Sequence, residues 1–285
     1  MYQLKKVYLE ITNCCNLACS FCPGTTRRAA FLTVAQFTHF AGALRGKTRF
    51  LYFHVMGEPL LHPDLPELLD IAGRMGFRVV LTTNGTLLPK RQRELLAAQA
   101  LHKVSVSLHS FEANSGVDME HYLAGCTDFG LAAIEAGILI DYRLWNLDGA
   151  ETRGRNEQND AILNHLHAAY PGNWTQNTWG WRLCDRTFIH YGEKFDWPSP
   201  DAPDHGEAGT CRALRDQLAV LCDGTVVPCC LDGEGRIPLG NLLAQPLDEI
   251  LAAEPARSIA AGFALQKRLH PLCRRCGYAE RFGAR

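Results

Sequence analysis

The chain has 285 residues, of which 47% are hydrophobic and 21% charged, and its 29 basic and 30 acidic residues give a formal net charge of −1. These values are ordinary for a chain with a sizeable buried core, and they exclude disordered and collagen-like proteins. The balanced charge gives no general attraction to nucleic acid or anionic lipid. Because no run of about 18 uncharged apolar residues occurs, we expect no membrane partner. The N-terminus lacks the apolar core of a signal peptide, so a cytoplasmic location is predicted.

Short β-rich runs alternate with longer helical patterns over the first two thirds of the chain. Strands are predicted at 7–12, 49–55, 77–83, 102–108 and 138–144, with a last aromatic strand within 179–191. Helices are predicted at 33–44, 65–75, 92–99, 129–135 and 160–170. Regular alternation indicates parallel βα units with right-handed crossovers. Six units favour an α/β fold of the partial (β/α)6 barrel type, in which chemistry collects at the carboxyl ends of the strands.

A proline-rich segment follows the last barrel strand. Its three prolines between 198 and 203 cannot continue a helix or a central strand, which indicates a linker. Beyond it, residues 217–227 are predicted to form a hairpin that turns at Asp223-Gly224, followed by a helix over 247–253. The expected organisation is a barrel over 1–195, a linker over 196–210 and a small α+β extension over 211–285.

Twelve cysteines are unusual in a chain predicted to be cytoplasmic, because a reducing cytosol seldom keeps structural disulfides. Four lie in the first 22 residues and six in the last 75, so clustered metal or redox chemistry is indicated at both ends. Near the N-terminus, Cys15, Cys19 and Cys22 have the spacing C-x3-C-x2-C in the loop after the first strand. Three thiolates on one loop can bind three corners of a 4Fe–4S cluster and leave the fourth iron open. The alternative is zinc, which needs a fourth protein ligand and prefers paired C-x2-C motifs.

Together with Phe21, this loop matches the pattern C-x3-C-x-aromatic-C, so the chain resembles the radical S-adenosylmethionine (SAM) superfamily. The second motif of that family, Gly-Glu-Pro, occurs as Gly57-Glu58-Pro59, preceded by Met where a glycine is usual. The third and fourth predicted strands also end in motifs of the family type, at Asn84 and Ser107.

The resemblance implies a role for each of these residues. The cluster would use Cys15, Cys19 and Cys22 as ligands, while Glu58 would accept hydrogen bonds from the SAM ammonium. The other residues expected to bind SAM are Phe21, Gly57, Pro59, Asn84, Ser107 and Arg143. An alternative for Glu58 is a carboxylate at a helix N-terminus. A low-potential donor, flavodoxin or ferredoxin, would supply the electron that cleaves SAM to a 5′-deoxyadenosyl radical.

A second resemblance concerns the C-terminal cysteines. The spacing of Cys211, Gly224 and Cys229, followed by Cys273 and Cys276, is similar to that of SPASM/twitch extensions, which hold auxiliary 4Fe–4S clusters. Because the position where a full SPASM domain continues is Phe282, a single auxiliary cluster with four cysteine ligands is expected. Full cysteine ligation favours electron transfer over substrate binding. A zinc knuckle is the alternative.

Two further residues are candidates for catalysis. Cys184, near the last barrel strand, is a candidate donor of a proton or hydrogen atom, and His109 follows the fourth strand. The roles of Cys14, Cys126, Cys222 and Cys230 stay open. Neighbouring side chains on a strand point oppositely, so Cys230 is an alternative ligand to Cys229.

The function implied is abstraction of a hydrogen atom from an unidentified substrate by the SAM-derived radical, in a net oxidation or modification assisted by the auxiliary cluster. The substrate class stays open between a small molecule, a peptide and RNA. A peptide- or RNA-modifying maturase is therefore an alternative. A non-enzymatic iron–sulfur electron carrier or redox sensor is the rival of another class, but such a carrier needs no SAM pocket.

Overall fold

The computed structural model of the chain describes residues 4–147 and 157–282. The strands are β1 Lys6–Leu9, β2 Phe50–Phe53, β3 Arg78–Thr83, β4 Leu101–Ser107, β5 Leu139–Leu147, β6 Thr175–Asn177, β7 Gly180–Cys184, β8 Thr187–Glu193, β9 Gln217–Val220, β10 Thr225–Val227 and β11 Gly240–Asn241. The α-helices are α1 Val34–Leu44, α2 Leu65–Arg74, α3 Leu88–Ala97, α4 Met119–Glu135, α5 Glu157–Ala169, α6 Leu247–Ala252, α7 Ala256–Ala264 and α8 Pro271–Arg274. None of the helices in the described ranges is long and apolar enough to cross a membrane.

The strands form one sheet in the order β11-β10-β9-β1-β2-β3-β4-β5-β8-β7-β6. Seven neighbouring strands pair in parallel, namely the six barrel strands from β1 through β5 to β8 and, beside β1, the extension strand β9. The sheet does not close on itself, because its ends are the short strands β6 and β11. This arrangement confirms the predicted α/β partial barrel.

The C-terminal extension continues the barrel sheet. Strand β9 pairs in parallel with β1, and β10 turns back against β9 at the predicted Asp223-Gly224 turn. Gly224 has a φ of +85°, and a Cβ placed on it would lie 3.0 Å from the ring of Phe40 in α1. The hairpin therefore packs closely on the first barrel helix. Strand β9 also places the extension beside the β1 end from which the first cysteine loop starts.

The hydrophobic core lies between the sheet and its outer helices. Val7 and Leu9 on β1 are fully buried, as are Leu51 and Phe53 on β2 and Phe37 on α1. Alternate residues of the strands point to opposite faces. The remaining positions of these strands face the concave side of the barrel, where polar side chains collect.

Three elements differ most from the sequence predictions. Helix α4 begins at Met119, ten residues earlier than expected, because the Asp118 carboxylate caps it by accepting a hydrogen bond from His121 N at 2.9 Å. Helix α3 begins at Leu88, since Pro89 fits the first turn of a helix. The single strand expected within 179–191 is instead the antiparallel pair β7 and β8, of which β8 completes the parallel wall.

Candidate functional site

A cavity of about 870 Å³ opens at the carboxyl ends of the parallel strands. Its walls contain the predicted site residues Cys15, Cys19, Phe21, Cys22, Gly57, Glu58, Asn84, Ser107, His109, Arg143, Cys211, Cys229, Cys273 and Cys276. Of the predicted site residues, Pro59 and Cys184 lie outside this lining: Pro59 is buried in a 3-10 turn, and the Cys184 thiol lies 3.5 Å from Asp185 O. The fold thus brings both cysteine groups to one space.

The loop over residues 15–22, hereafter the cluster loop, is anchored by neighbouring strand ends. Glu112 accepts hydrogen bonds from Ser20 N at 2.7 Å and from Ser20 Oγ at 2.6 Å. Asn84 Nδ2 donates to Asn16 Oδ1 at 2.9 Å. The side chain of Asn84, which is predicted to bind SAM, therefore also holds the cluster loop. Sequence reasoning missed Glu112, because nothing in its neighbourhood distinguishes it from a surface carboxylate.

The three thiols of the cluster loop fit the donor set of an iron–sulfur cluster. Cys15 and Cys22 are exposed to the cavity, whereas Cys19 is half-buried. Burial, with the neighbouring Cys22 and Cys15, raises the pKa of Cys19 to about 12. A thiol in this environment binds as a thiolate only if a metal displaces its proton.

The Gly-Glu-Pro motif packs directly under the cluster loop. Gly57 has a φ of +78°, and a Cβ placed on it would lie 2.6 Å from Thr12 O and 2.8 Å from Cys14 O. Glu58 N donates to Cys14 O at 2.7 Å. The close backbone approach expected at Gly57 is therefore a contact with the base of the cluster loop, and any side chain there would push the loop outward.

The Glu58 carboxylate is almost fully buried and caps a 3-10 turn. Its two oxygens accept from Leu60 N at 3.0 Å and from Asn84 N at 2.7 Å. Burial raises the pKa of Glu58 to about 7, although these backbone hydrogen bonds lower it in part. The alternative considered for Glu58, a capping carboxylate, is thus realised, and the residue also lines the cavity where it can meet a cation.

Gly57→Ala is expected to destabilise the chain by about 3 kcal/mol or more, because the new Cβ adds an overlap with the cluster loop to the strain of a positive φ. Gly76→Ala is a matched control, since Gly76 has a φ of +84° with no atom within 4 Å of the new Cβ. Its cost should be about 1 kcal/mol. Chemical denaturation of both variants measures the difference, and equal costs would contradict the close approach at Gly57.

The second group of thiols lies on the extension and comprises Cys211, Cys229, Cys273 and Cys276, hereafter the extension set. Cys229 follows β10, while Cys273 lies in α8 and Cys276 just after it. Burial, with the neighbouring thiols of the set, raises the pKa of Cys273 to about 12 and that of Cys276 to about 11. Four mutually close, poorly solvated thiols suit a fully cysteine-ligated cluster.

Cys229 and Cys230 face different neighbours. Burial raises the pKa of Cys229, and the adjacent Cys230 thiol, followed by the other three members of the extension set, adds to the rise. Cys230 packs with Tyr8, and the charge of Lys6 and a hydrogen bond with Tyr8 act against the rise that burial causes in its own pKa. These contacts of Cys230 with barrel residues favour Cys229 over Cys230 as the fourth ligand.

Within residues 4–147 and 157–282, no three His, Cys, Asp or Glu side chains converge on a point that a single metal ion would occupy. A zinc ion holds its sulfur ligands at about 2.3 Å, whereas a cubane binds each thiolate at a separate corner and spreads them further apart. The thiol chemistry of both groups fits iron–sulfur clusters. Measuring the iron and zinc content of the protein distinguishes clusters from zinc sites.

Ser107 and His109 line the cavity at the carboxyl end of β4, where His109 adjoins the cluster loop. His109 Nδ1 lies 2.9 Å from Arg143 O on β5, and its ring contacts Phe21 with centroids 4.8 Å apart. Burial lowers the pKa of His109 to about 4, so this histidine is neutral near pH 7 and connects β5 to the cluster loop. The Ser107 side chain lines the cavity and makes no hydrogen bond among the described residues.

One buried ion pair that sequence reasoning did not find joins three parts of the site. Glu10, fully buried after β1, accepts from both Arg27 terminal nitrogens at 2.9 and 2.6 Å. It also accepts from Met56 N at 3.3 Å and from Cys222 N at 3.0 Å. Because one carboxylate binds the segment after the cluster loop, the Gly-Glu-Pro strand and the extension hairpin, it fixes both cysteine groups to the same barrel end. Cys222 is a structural residue, because both its backbone N–H and its thiol contact Glu10.

The fold and the two thiol groups define a class of partial-barrel protein that can bind iron–sulfur clusters at the carboxyl ends of its parallel strands. Models of the radical SAM superfamily and of the SPASM iron–sulfur cluster-binding domain match residues 9–128 and 211–277. The chain therefore carries a radical SAM domain followed by a C-terminal SPASM domain. Its cofactors are accordingly SAM and iron–sulfur clusters.

Individual relatives match over part of their length. The AdoMet-dependent heme synthase of Methanosarcina barkeri is 34% identical over 129 residues, 44% of this chain and 37% of that protein. The GTP 3′,8-cyclase of Acidothermus cellulolyticus is 28% identical over 204 residues, 64% of this chain and 55% of its own. The structure of BtrN in complex with AdoMet and 2-DOIA superposes with a TM-score of 0.62 at 17% identity, covering 97% of this chain and 94% of that one. This last similarity is one of fold.

Proposed function

We propose that the chain cleaves SAM reductively and that the resulting radical takes a hydrogen atom from a substrate in the cavity, in a net oxidation. The observation that supports this is the shared cavity: the cluster loop, Glu58 and the extension set all line it. SAM, substrate and an electron acceptor would therefore lie in one space, shielded by the walls of the barrel.

In this proposal the cluster loop holds a 4Fe–4S cluster with one open iron, and the extension set holds an auxiliary cluster. When bound, the first supplies the electron that splits SAM into methionine and a 5′-deoxyadenosyl radical, and the second supplies an acceptor for the electron that the substrate radical loses. Flavodoxin or ferredoxin is the proposed source of the first electron.

The residues of this chain orient the reactants. The Glu58 carboxylate accepts hydrogen bonds from the SAM ammonium, while Asn84 lines the side where the cluster loop meets the end of β3 and Phe21 lines the cavity beside His109. The free Ser107 hydroxyl reaches the SAM carboxylate or ribose. Neutral His109 stays bonded to the β5 backbone and keeps Phe21 in place, a positioning role that its lowered pKa supports.

Anaerobic incubation of the reconstituted chain with SAM and dithionite should yield 5′-deoxyadenosine, which an electron carrier would not produce.

Glu58→Gln should weaken SAM binding about ten- to hundredfold, because a charge-assisted hydrogen bond contributes about 1.5–3 kcal/mol. Glu67→Gln, on the exposed side of α2, is the matched control and should bind SAM as the wild type does. Iron content verifies the folded site, and unchanged SAM affinity of Glu58→Gln would contradict the assignment.

A further inference from the structure

On the concave face of the barrel, the two cations Lys6 and Arg143 form no ion pair with any carboxylate of the described residues. Strand register puts Lys6 on β1, Lys103 on β4 and Arg143 on β5 on this same face. Lys103 is paired with Asp141 at 2.7 Å, and Asp141 is shared with His190. Among the residues that the structure describes, Lys6 and Arg143 have no acidic partner, and both line the cavity.

Aromatic rings hold both cations in place. Lys6 Nζ lies 5.0 Å from the ring centroids of Tyr8 and Tyr52. The Arg143 guanidinium carbon lies 3.6 Å from the Trp145 ring. A ring face attracts a cation and orients it, but it accepts no conventional hydrogen bond from the N–H donors of the ammonium or the guanidinium. The donors of both groups are therefore available to a ligand in the cavity.

The environment makes the two positive charges costly on their own. Burial lowers the pKa of Lys6; the nearby Cys230 thiol acts in the opposite direction, and the charges of Arg212 and Arg143 lower it further. Burial also lowers the pKa of Arg143, although the nearby Asp141 carboxylate offsets part of the effect. Of the three carboxylates in the cavity wall, two are already engaged, since Glu58 caps its turn and the two oxygens of Asp232 accept from Arg236 N and Ile237 N; the third, Asp196, pairs with neither Lys6 nor Arg143. A ligand that brings negative charge would relieve this imbalance.

We propose that Lys6 and Arg143 bind an anionic group of the substrate, a carboxylate or a phosphate. The guanidinium offers a planar fork for two oxygens of such a group, and the ammonium offers a point charge beside it. The inference rests on the proposed function, because it assigns the substrate of that same cavity. It narrows the substrate to a molecule with an oxyanion deep in the barrel and the reacting C–H bond toward the cluster loop. The sequence prediction that Arg143 meets SAM is the competing assignment.

Calorimetric titration of the anaerobically reconstituted full chain, saturated with SAM, tests the proposal with inorganic phosphate and with succinate as probes. One or both should bind saturably: phosphate binding alone indicates a phosphorylated substrate, and succinate binding alone a carboxylate. Lys6→Met and Arg143→Met should each weaken the binding about tenfold or more. Lys6→Arg, which keeps the charge, should restore most of it.

Lys5→Met is the matched control, because Lys5 is the preceding residue, its side chain is 78% exposed and it is paired with Asp216. This variant should bind the probes as the wild type does. Absence of saturable binding to the wild type, or equal weakening in Lys5→Met, would overturn the proposal. If the probes bind to the chain without SAM but not to the SAM-saturated chain, the cations belong to the SAM carboxylate, and the proposal is overturned as well. Formation of 5′-deoxyadenosine by the same samples tests the proposed function separately, since it needs no anion.

Discussion

Replacing Cys15, Cys19 and Cys22 together by alanine is expected to abolish formation of 5′-deoxyadenosine. In the proposed assignment the cluster loop would provide all three ligands of the cluster that has an open iron, and no other thiols of the described chain are grouped beside Glu58. The extension set is untouched, so the variant should keep about four of about eight irons and a visible iron–sulfur absorbance. Iron analysis and an anaerobic assay with SAM and dithionite measure both outcomes.

Cys14→Ala is the matched control for this triple substitution. Cys14 precedes the cluster loop, and its thiol lies 3.9 Å from Ala30 O, outside the cavity lining. It should keep the full iron content and wild-type cleavage of SAM. A triple variant without iron would show that the extension set holds no cluster of its own. A triple variant that still cleaves SAM would place the open iron elsewhere.

The barrel was predictable because its signals are local. Buried strands such as β1 and amphipathic helices such as α2 show their hydrophobic pattern within a few residues. Helix α4 was predicted too short because its first half contains Gly125, Cys126 and Thr127, which blur the helical pattern. The pairing of β9 with β1 joins residues more than 200 positions apart, and no local pattern encodes such a contact.

The candidate site was predictable to a similar extent. Cysteine spacing and short motifs identified the residues whose chemistry depends on their type, and the fold brings most of them to one cavity. The residues that position them were not predictable, because the partner of a charged side chain depends on the fold. Glu10 and Arg27 look like ordinary charged residues in the sequence, yet they form the buried pair between the cysteine groups. Lys6 likewise gives no sign of facing a cavity.

Replacing Cys273 and Cys276 by alanine should remove the auxiliary cluster and leave SAM cleavage in place. Two of the four extension thiols are then missing, so the variant should lose about four irons of about eight. Cleavage of SAM in the absence of substrate depends on the cluster loop and Glu58, which lie on barrel strand ends, and it should continue. The extension should be less stable, because the proposed cluster would join its hairpin to α8 and the binding energy would contribute to folding.

Cys230→Ala is the control for ligand identity in this second experiment. It changes the thiol next to Cys229 that packs against Tyr8 and Lys6, and it should keep the full iron content. Loss of one zinc instead of about four irons in the Cys273/Cys276 variant would establish a zinc knuckle. Equal iron loss from Cys230→Ala would place Cys230 in the ligand set.

The metal bound by the extension set also decides the type of reaction. After a hydrogen atom is removed, the substrate radical must lose one more electron for a net oxidation, and zinc cannot accept it because it has no redox chemistry. A cluster at the extension set lies on the same cavity as Lys6 and Arg143, which would hold the substrate within reach of that acceptor. If the extension set binds zinc, the reaction is redox-neutral or uses an external acceptor. Iron and zinc content of the wild type and of the Cys273/Cys276 variant therefore decides whether the extension set can serve as the internal electron acceptor of an oxidation, before the substrate is known.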